Sequence, residues 1–185
     1  PAGDGDGRGD LPGLISRLDY LSRLGVSCLW LNPVYPSPGR DGGYDISDYY
    51  GIDPALGSLG DFAELTRGAQ ERGIRIVLDL VVNHTSDEHP WFVSARSSPD
   101  SPYRNWYVWS AEEPSDRHQG TVFPGEQTET WTLDEQAQEW YFHRFYDFQP
   151  DLNWSNPDVQ TEIAKVMRFW LQLGVAGFRI DAAPF

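Results

Sequence analysis

Residues Ile74–Val82 have the sequence IRIVLDLVV, and this stretch decides the fold of the chain. It is almost continuously apolar and rich in β-branched residues, with one acid, Asp79, inside it. Such a run is typical of a strand that is covered on both faces, as in a parallel sheet. We therefore predict a buried parallel strand here, which delivers Asn83 and His84 at its carboxyl end.

Helical and strand patterns alternate on both sides of this strand. Three helices are predicted from apolar residues at helical spacing, over 13–24, 62–72 and 157–173. Each is followed by a glycine that ends it, namely Gly25, Gly73 and Gly174. Asp61 is the predicted N-cap of the second helix, and Asn156-Pro157 caps the third. Further strands are predicted within Val26–Val34 and Val175–Ile180. This alternation indicates an α/β fold with a parallel sheet and right-handed crossovers.

Residues 85–155 do not follow this alternation. They are rich in Trp, Tyr, Pro, Ser and acids, and the segment is too long for an ordinary loop. We predict an inserted subdomain. The expected division is therefore 1–84 for the first part of the main domain, 85–155 for the insertion and 156–185 for its continuation.

Composition excludes several classes of partner. The formal net charge of −14 argues against nucleic acid and against an anionic membrane as partners. No apolar run approaches the length that spans a bilayer and no signal peptide is visible, which together favour a cytoplasmic location. The single cysteine, Cys28, excludes an internal disulfide and is expected to be buried and reduced. The oligomeric state is left open.

Polar side chains follow three of the predicted strands. Arg179 and Asp181 stand at i and i+2, so a strand points both to one face, where the arginine would hold the carboxylate ionised as a nucleophile requires. His84 ends another strand, and the loop after the first strand carries Asp41 and Tyr44. In a parallel α/β sheet such residues meet at one rim. Hydroxyl partners together with an aromatic ring suit a neutral sugar.

Five motifs carry a family resemblance: Gly5–Asp10 (GDGRGD), Gly43–Asp48 (GYDISD), Asp79–His84 (DLVVNH), Gln149–Trp154 (QPDLNW) and Gly177–Asp181 (GFRID). In this order they resemble signature regions of the α-amylase superfamily, glycoside hydrolase family 13. The resemblance implies a partial (β/α)8 TIM barrel, about strands two to four, with a subdomain inserted after strand three. Within the family it is greatest to trehalose synthases and to α-glucosidases of the oligo-1,6-glucosidase type.

The resemblance also implies roles for individual residues. Asp181 matches the nucleophile that forms a covalent glucosyl-enzyme, and Arg179 matches the arginine that orients it. His84 matches the histidine that binds the sugar 6-hydroxyl, whereas Asp41 and Tyr44 match the pair that holds the non-reducing glucose. Gln149 is a further candidate for lining the site.

The first loop resembles a calcium loop of the family. Asp4, Asp6, Asp10 and the carbonyl of Arg8 are the candidate ligands, since alternating acids and glycines let oxygens surround a hard cation. Ala2 stands where the family's loop normally starts with Asp. No organic cofactor is implied.

Three functions stay open at this point. The first is interconversion of maltose and trehalose by a retaining enzyme that acts on short α-glucosides. The second is hydrolysis of the same bonds, as in an α-glucosidase. The third is a non-catalytic homologue that binds carbohydrate or a protein partner. In the family, the general-acid Glu lies at the end of the fifth barrel strand, and the resemblance covers only about strands two to four. We therefore expect a polypeptide of these 185 residues alone to be inactive.

Overall fold

The computed structural model describes residues 2–3 and 5–183. Within that part of the chain the α-helices are α1 Leu11–Ile15, α2 Leu18–Arg23, α3 Leu59–Glu71, α4 Pro90–Ser97 and α5 Pro157–Gln172. The strands are β1 Cys28–Leu31, β2 Arg75–Val81, β3 Trp109–Ser110, β4 Trp131–Asp134, β5 Glu139–Phe142 and β6 Gly177–Asp181, and a short 3₁₀ turn covers Arg104–Trp106. No helix among these residues is both long enough and apolar enough to cross a membrane.

The chain divides into two compact units. The first holds the residues up to Pro36, together with Tyr49–Leu80 and Lys165–Asp181. The second holds Ser37–Asp48, Val81–Ala164 and the two described residues after Asp181.

The first unit is built on a three-stranded sheet in the order β1-β2-β6. β1 pairs in parallel with β2, and Trp30 lies opposite Val77. The central strand is buried from Leu78 to Val81, which confirms the prediction that it is covered on both faces. The fully buried Trp170 of α5 packs edge to face against Phe62 of α3 and against Tyr35, with ring centroids 5.1 and 5.5 Å apart.

Three helices of this unit end in the same way. At Gly25, Gly73 and Gly174 the backbone has a positive φ, and each glycine N–H donates to the carbonyl three residues earlier. The next residue, Val26, Ile74 or Val175, donates to the carbonyl five residues earlier. This is the Schellman motif, and it confirms the predicted helix ends.

Three local predictions need correction. The helix expected over 13–24 is two short helices, because Ser16 Oγ donates back to the Gly13 carbonyl and Arg17 leaves helical geometry. The N-cap of α3 is Ser58 rather than Asp61, which instead completes a capping box as the third helical residue. Cys28 is exposed rather than buried, because β1 is an edge strand of this sheet.

The second unit contains a three-stranded sheet in the order β3-β5-β4, whose paired strands are antiparallel. Its core surrounds the buried Phe92, which contacts Tyr107 and Tyr141 edge to face. A second antiparallel pairing joins residues 83–85 to residues 150–152. There Leu152 N donates to the Asn83 carbonyl at 2.8 Å and Thr85 N donates to the Pro150 carbonyl at 3.2 Å.

Candidate active site

In the first unit, Arg179 holds two carboxylates. Its Nη1 donates to Asp181 Oδ1 at 2.5 Å and to the two carboxylate oxygens of Asp79 at 2.9 and 3.0 Å. Asp79 is fully buried, whereas Asp181 keeps part of its side chain exposed. The predicted contact between Arg179 and Asp181 is therefore present, and Asp79 is an additional acceptor.

This arrangement fixes the direction of the Asp181 carboxylate, because a guanidinium at hydrogen-bond distance orients the oxygens that accept from it. The bonds from Arg179 to Asp79, followed by the charges of Asp79 and Asp181, raise the pKa of Arg179 and keep it cationic. The guanidinium also contacts an aromatic ring, since the Trp30 ring centroid is 5.2 Å from Arg179 Cζ.

In the second unit, a buried acid shapes the loop that carries Asp41 and Tyr44. Asp45 accepts hydrogen bonds from Ser37 Oγ at 2.8 Å and from the backbone N–H groups of Arg40 and Asp41 at 3.1 and 3.2 Å. The Tyr44 N–H donates to the Asp41 carbonyl at 3.0 Å. The Asp45 side chain thus orders the loop to which it belongs and fixes the backbone at Asp41.

Gln149 binds the Asp41 side chain. It is fully buried, and its Nε2 donates to Asp41 Oδ2 at 2.8 Å. The predicted site residues Asp41 and Gln149 are therefore in direct contact although they are far apart in sequence. An amide donor at this position orients the carboxylate and leaves it acceptor capacity for hydroxyl groups.

His84 is buried, and burial favours its neutral form. Its Nε2 lies 3.2 Å from the Tyr44 carbonyl and its Nδ1 lies 3.3 Å from Asn83 Nδ2. Because a carbonyl only accepts and an amide NH₂ only donates, these contacts assign the proton to Nε2. Burial lowers the pKa of His84 to about 4, against smaller opposing effects of the Tyr44 carbonyl and the Asp45 charge.

The predicted site residues fall into two groups. Arg179 and Asp181 lie in the first unit, whereas Asp41, Tyr44, His84 and Gln149 lie in the second. Direct contacts join the residues within each group, and the expectation that the groups share one rim stays a prediction.

Two acids of the candidate calcium loop, Asp6 and Asp10, accept hydrogen bonds from backbone N–H groups. Asp10 accepts from Gly3 N at 2.7 and 2.8 Å and from Gly13 N at 2.7 Å, which makes it the N-cap of α1. Asp6 accepts from Arg8 N at 2.7 Å. Asp4 lies outside the described residues. Among the residues that are described, no group of three or more His, Cys, Asp or Glu side chains is placed to hold a metal, so calcium stays a prediction.

Two residues of these groups were missed by the sequence reasoning, which assigned neither Asp45 nor Asp79 to the site. An acid within a buried apolar strand requires a cationic partner, and this was the available signal for Asp79. Asp45 lies inside a Gly-rich loop, where an acid side chain often bonds to nearby backbone.

The sequence and the fold both place the chain in a known family. The family model described as "Alpha amylase, catalytic domain" matches residues 1–185, so the chain belongs to the α-amylase family. Its described elements match part of the TIM-barrel structures of this family.

Particular relatives are similar over nearly the whole chain. The trehalose synthase/amylase TreS of Mycobacterium tuberculosis is 51% identical over 97% of this chain. The oligo-1,6-glucosidase of Parageobacillus thermoglucosidasius is 50% identical over 96%. The crystal structure of trehalose-6-phosphate hydrolase (TreA) of Bacillus licheniformis superposes with a TM-score of 0.90 at 40% identity, over 96% of this chain and 32% of that one. The chain spans 30% of TreS and 32% of the oligo-1,6-glucosidase.

Proposed function

We propose that this chain is part of a retaining enzyme that acts on α-glucosidic bonds, with Asp181 as its nucleophile. The observation that carries the proposal is the ion pair of Asp181 with Arg179, at the end of a strand whose GFRID sequence matches the family's nucleophile motif. In the proposed first step, Asp181 attacks the anomeric carbon and the glycosidic bond breaks. A Glu outside these 185 residues protonates the leaving oxygen.

Four residues are proposed to bind the glucosyl group. Asp41 would accept hydrogen bonds from sugar hydroxyls, while Gln149 holds that carboxylate in place. Tyr44 would pack on the face of the ring. His84 would contact the 6-hydroxyl of the sugar, the role that the family resemblance implies.

The acceptor in the second step decides the product. Water gives hydrolysis, whereas a glucose that stays in the site and attacks through its anomeric hydroxyl converts maltose to trehalose. We propose maltose–trehalose interconversion as the main activity, supported by similarity to trehalose synthases over nearly the whole chain. Hydrolysis is the second candidate, because oligo-1,6-glucosidases reach nearly the same identity.

The finer architecture is part of this proposal. β1, β2 and β6 would be strands two, three and four of the family's eight-stranded barrel. Residues 1–84 and 156–185 would belong to that barrel and residues 85–155 to the domain inserted after strand three. A calcium ion in the first loop, held through Asp4, Asp6, Asp10 and the Arg8 carbonyl, is proposed as a structural ion.

A product assay of the full-length protein tests the activity. Incubation with maltose, followed by chromatographic separation, is expected to give trehalose as the main product. Glucose alone would select the glucosidase, and no product with maltose binding intact would select a non-catalytic homologue.

A substitution tests the nucleophile. Asp181→Asn is expected to lower kcat by a factor on the order of 10⁴ while maltose binding persists, since an amide cannot attack the anomeric carbon. The exposed Asp100→Asn is the matched control and should keep full activity. Retained turnover in Asp181→Asn would contradict the assignment.

A further inference from the structure

A buried amide in the second unit ties a loop to a neighbouring segment of the chain. Gln127 is buried and uses all of its hydrogen-bonding capacity. Its Oε1 accepts from Val122 N at 2.8 Å and from Phe123 N at 3.4 Å. Its Nε2 donates to the Glu129 carbonyl and to the Arg144 carbonyl, both at 3.0 Å. One side chain therefore joins the two arms of its own loop to each other and to a second segment.

The loop that Gln127 holds, residues 120–129, carries one aromatic ring, that of Phe123. Its ring centroid lies 6.0 Å from that of Phe145. Phe145 in turn contacts the His84 imidazole edge to face, with centroids 5.3 Å apart. Because Gln127 binds the backbone N–H of Phe123 and the carbonyl of the residue before Phe145, it fixes the backbone from which both rings extend.

A row of stacked groups continues from Phe123 towards the loop that carries Asp41. Phe123 stacks on Tyr146 at 4.9 Å with the planes 18° apart, and Tyr146 stacks on Phe148 at 5.1 Å with the planes 10° apart. The guanidinium of Arg40 follows, with its Cζ 4.5 Å from the Phe148 centroid. Such contacts are favourable. A displaced Phe123 would therefore remove one end of a row that reaches the residue before Asp41.

We propose that Gln127 is a positioning residue which, through Phe123 and Phe145, sets how the glucosyl group is divided between a sugar acceptor and water. The inference rests on the proposed function, in which His84 contacts the glucosyl group. Water takes that group as glucose, and a retained glucose takes it as trehalose. In both cases the bond to Asp181 breaks, and the proton of the attacking hydroxyl group passes to the Glu outside these 185 residues.

The physical reason is access of water to the sugar. Apolar rings that are held beside the imidazole leave little room for a water molecule, whereas a loose loop would admit it. The amide group is matched to this task, because it meets two N–H groups with its oxygen and two carbonyl groups with its nitrogen. Neither a carboxylate nor an apolar side chain of the same length can form all four bonds.

The ratio of products tests the proposal in the full-length protein. Gln127→Glu removes the donor side of the amide, and Gln127→Met removes all four bonds at similar length. With maltose as substrate, we expect the ratio of glucose to trehalose to rise at least about threefold in Gln127→Met, and by less in Gln127→Glu. The same changes at Gln136, which is exposed in the same unit, are the matched controls and should leave the ratio unaltered.

This ratio distinguishes positioning from a merely structural role. If Gln127 only stabilised the fold, fewer molecules would be active and the total consumption of maltose would fall, but the ratio would stay that of the unaltered protein. An unchanged ratio in both Gln127 variants would therefore overturn the proposal, even if a variant folds poorly.

A second substitution tests the route through Phe123. Phe123→Leu should also raise the ratio of glucose to trehalose, because the leucine side chain cannot stack on Tyr146. In that background Gln127→Met should add less than it does alone, since both changes act through the same ring. Fully independent effects would show that Gln127 does not act through Phe123, which would contradict the inference.

Hydrogen exchange separates this inference from the proposed function. In Gln127→Met, peptides that cover residues 120–129 should exchange about tenfold faster than in the unaltered protein, because the bonds to Val122 N and Phe123 N are lost. Gln136→Met should leave these peptides unchanged. Unchanged exchange in Gln127→Met would overturn the proposal. If the unaltered protein forms no trehalose, the proposed interconversion fails, but exchange still decides whether Gln127 holds the loop.

Discussion

His89 caps a helix through a ring nitrogen that must be unprotonated to accept a hydrogen bond. It is the N-cap of α4, where its Nδ1 accepts from the Trp91 N–H at 3.1 Å. Burial lowers the pKa of this side chain to about 3. Between pH 3 and the ordinary value near 6.5 the unfolded chain therefore binds more protons at His89 than the folded chain. The free energy of unfolding must fall as pH drops through this window.

His89→Asn should remove this dependence and keep the cap, because asparagine is a good N-cap residue. Between pH 7 and pH 4.5 we expect the variant to lose roughly 2 kcal/mol less unfolding free energy than the unaltered protein. Urea unfolding at several pH values measures this difference. The exposed His118→Asn serves as the control, and an equal loss in all three proteins would contradict the prediction.

The residues of the candidate site differ in how far sequence could predict them. The contact of Arg179 with Asp181 follows from strand geometry at i and i+2, and the structure confirms it. The bond from Arg179 to Asp79 spans 100 positions, and the bond from Gln149 to Asp41 spans 108. No local pattern encodes contacts of that separation. They depend on which strands and loops become neighbours.

At the scale of elements, Gly73 and Gly174 occupy equivalent helix ends in different surroundings. Both have positive φ, of 70° and 97°. A Cβ added at Gly73 would meet no other atom within 4 Å, whereas at Gly174 it would lie 3.0 Å from Thr66 Cβ and Oγ1. Thr66 has little freedom to move away, because its hydroxyl donates to the Leu173 carbonyl at 2.7 Å.

These two glycines form a matched pair for a stability test. Gly73→Ala should cost about 1 kcal/mol of unfolding free energy, since only the backbone conformation is strained. Gly174→Ala should cost at least about 2 kcal/mol, because a steric clash is added. Thermal unfolding of both variants measures the costs. Equal costs would show that Thr66 yields to the added methyl group.

Element prediction succeeded where one local signal dominated. The closing glycines and the continuous apolar run of β2 were sufficient for the ends of the helices and for the buried strand. The break between α1 and α2 was missed, because Leu14, Ile15, Leu18, Leu21 and Leu24 keep helical spacing across it. The hydrogen bond of Ser16 to the Gly13 carbonyl competes there with the helix, and apolar periodicity does not report such competition.

At the scale of the molecule, the 185 residues expose apolar surface that a stable enzyme would cover. Trp30 is 55% exposed on β1 and Ile180 is 40% exposed on β6, the two edge strands of the parallel sheet. Open edges and exposed apolar side chains favour association with other chains. TreS and the oligo-1,6-glucosidase are also about three times longer than this chain.

We therefore expect the isolated 185-residue polypeptide to show no turnover of p-nitrophenyl α-glucoside and to be poorly soluble. The full-length protein at equal concentration is the control. Absorbance of released p-nitrophenol measures turnover, and light scattering measures association. Detectable turnover by the isolated polypeptide would show that its carboxylates include a complete catalytic pair.

The short connections from a helix to the following strand limit where residues can be inserted or deleted in this protein. Residues 24–27, 72–74 and 173–176 form these connections, and a Schellman glycine turns each of them. One inserted residue would either move the glycine out of the turn or shift the register of the following strand. A register shift of one residue moves every side chain of that strand to the opposite face of the sheet. The segment 32–58, which follows β1, contains no helix or strand. We expect homologues to vary in length in the segments after the strands, outside the loop that Asp45 orders, and not in the short connections before the strands.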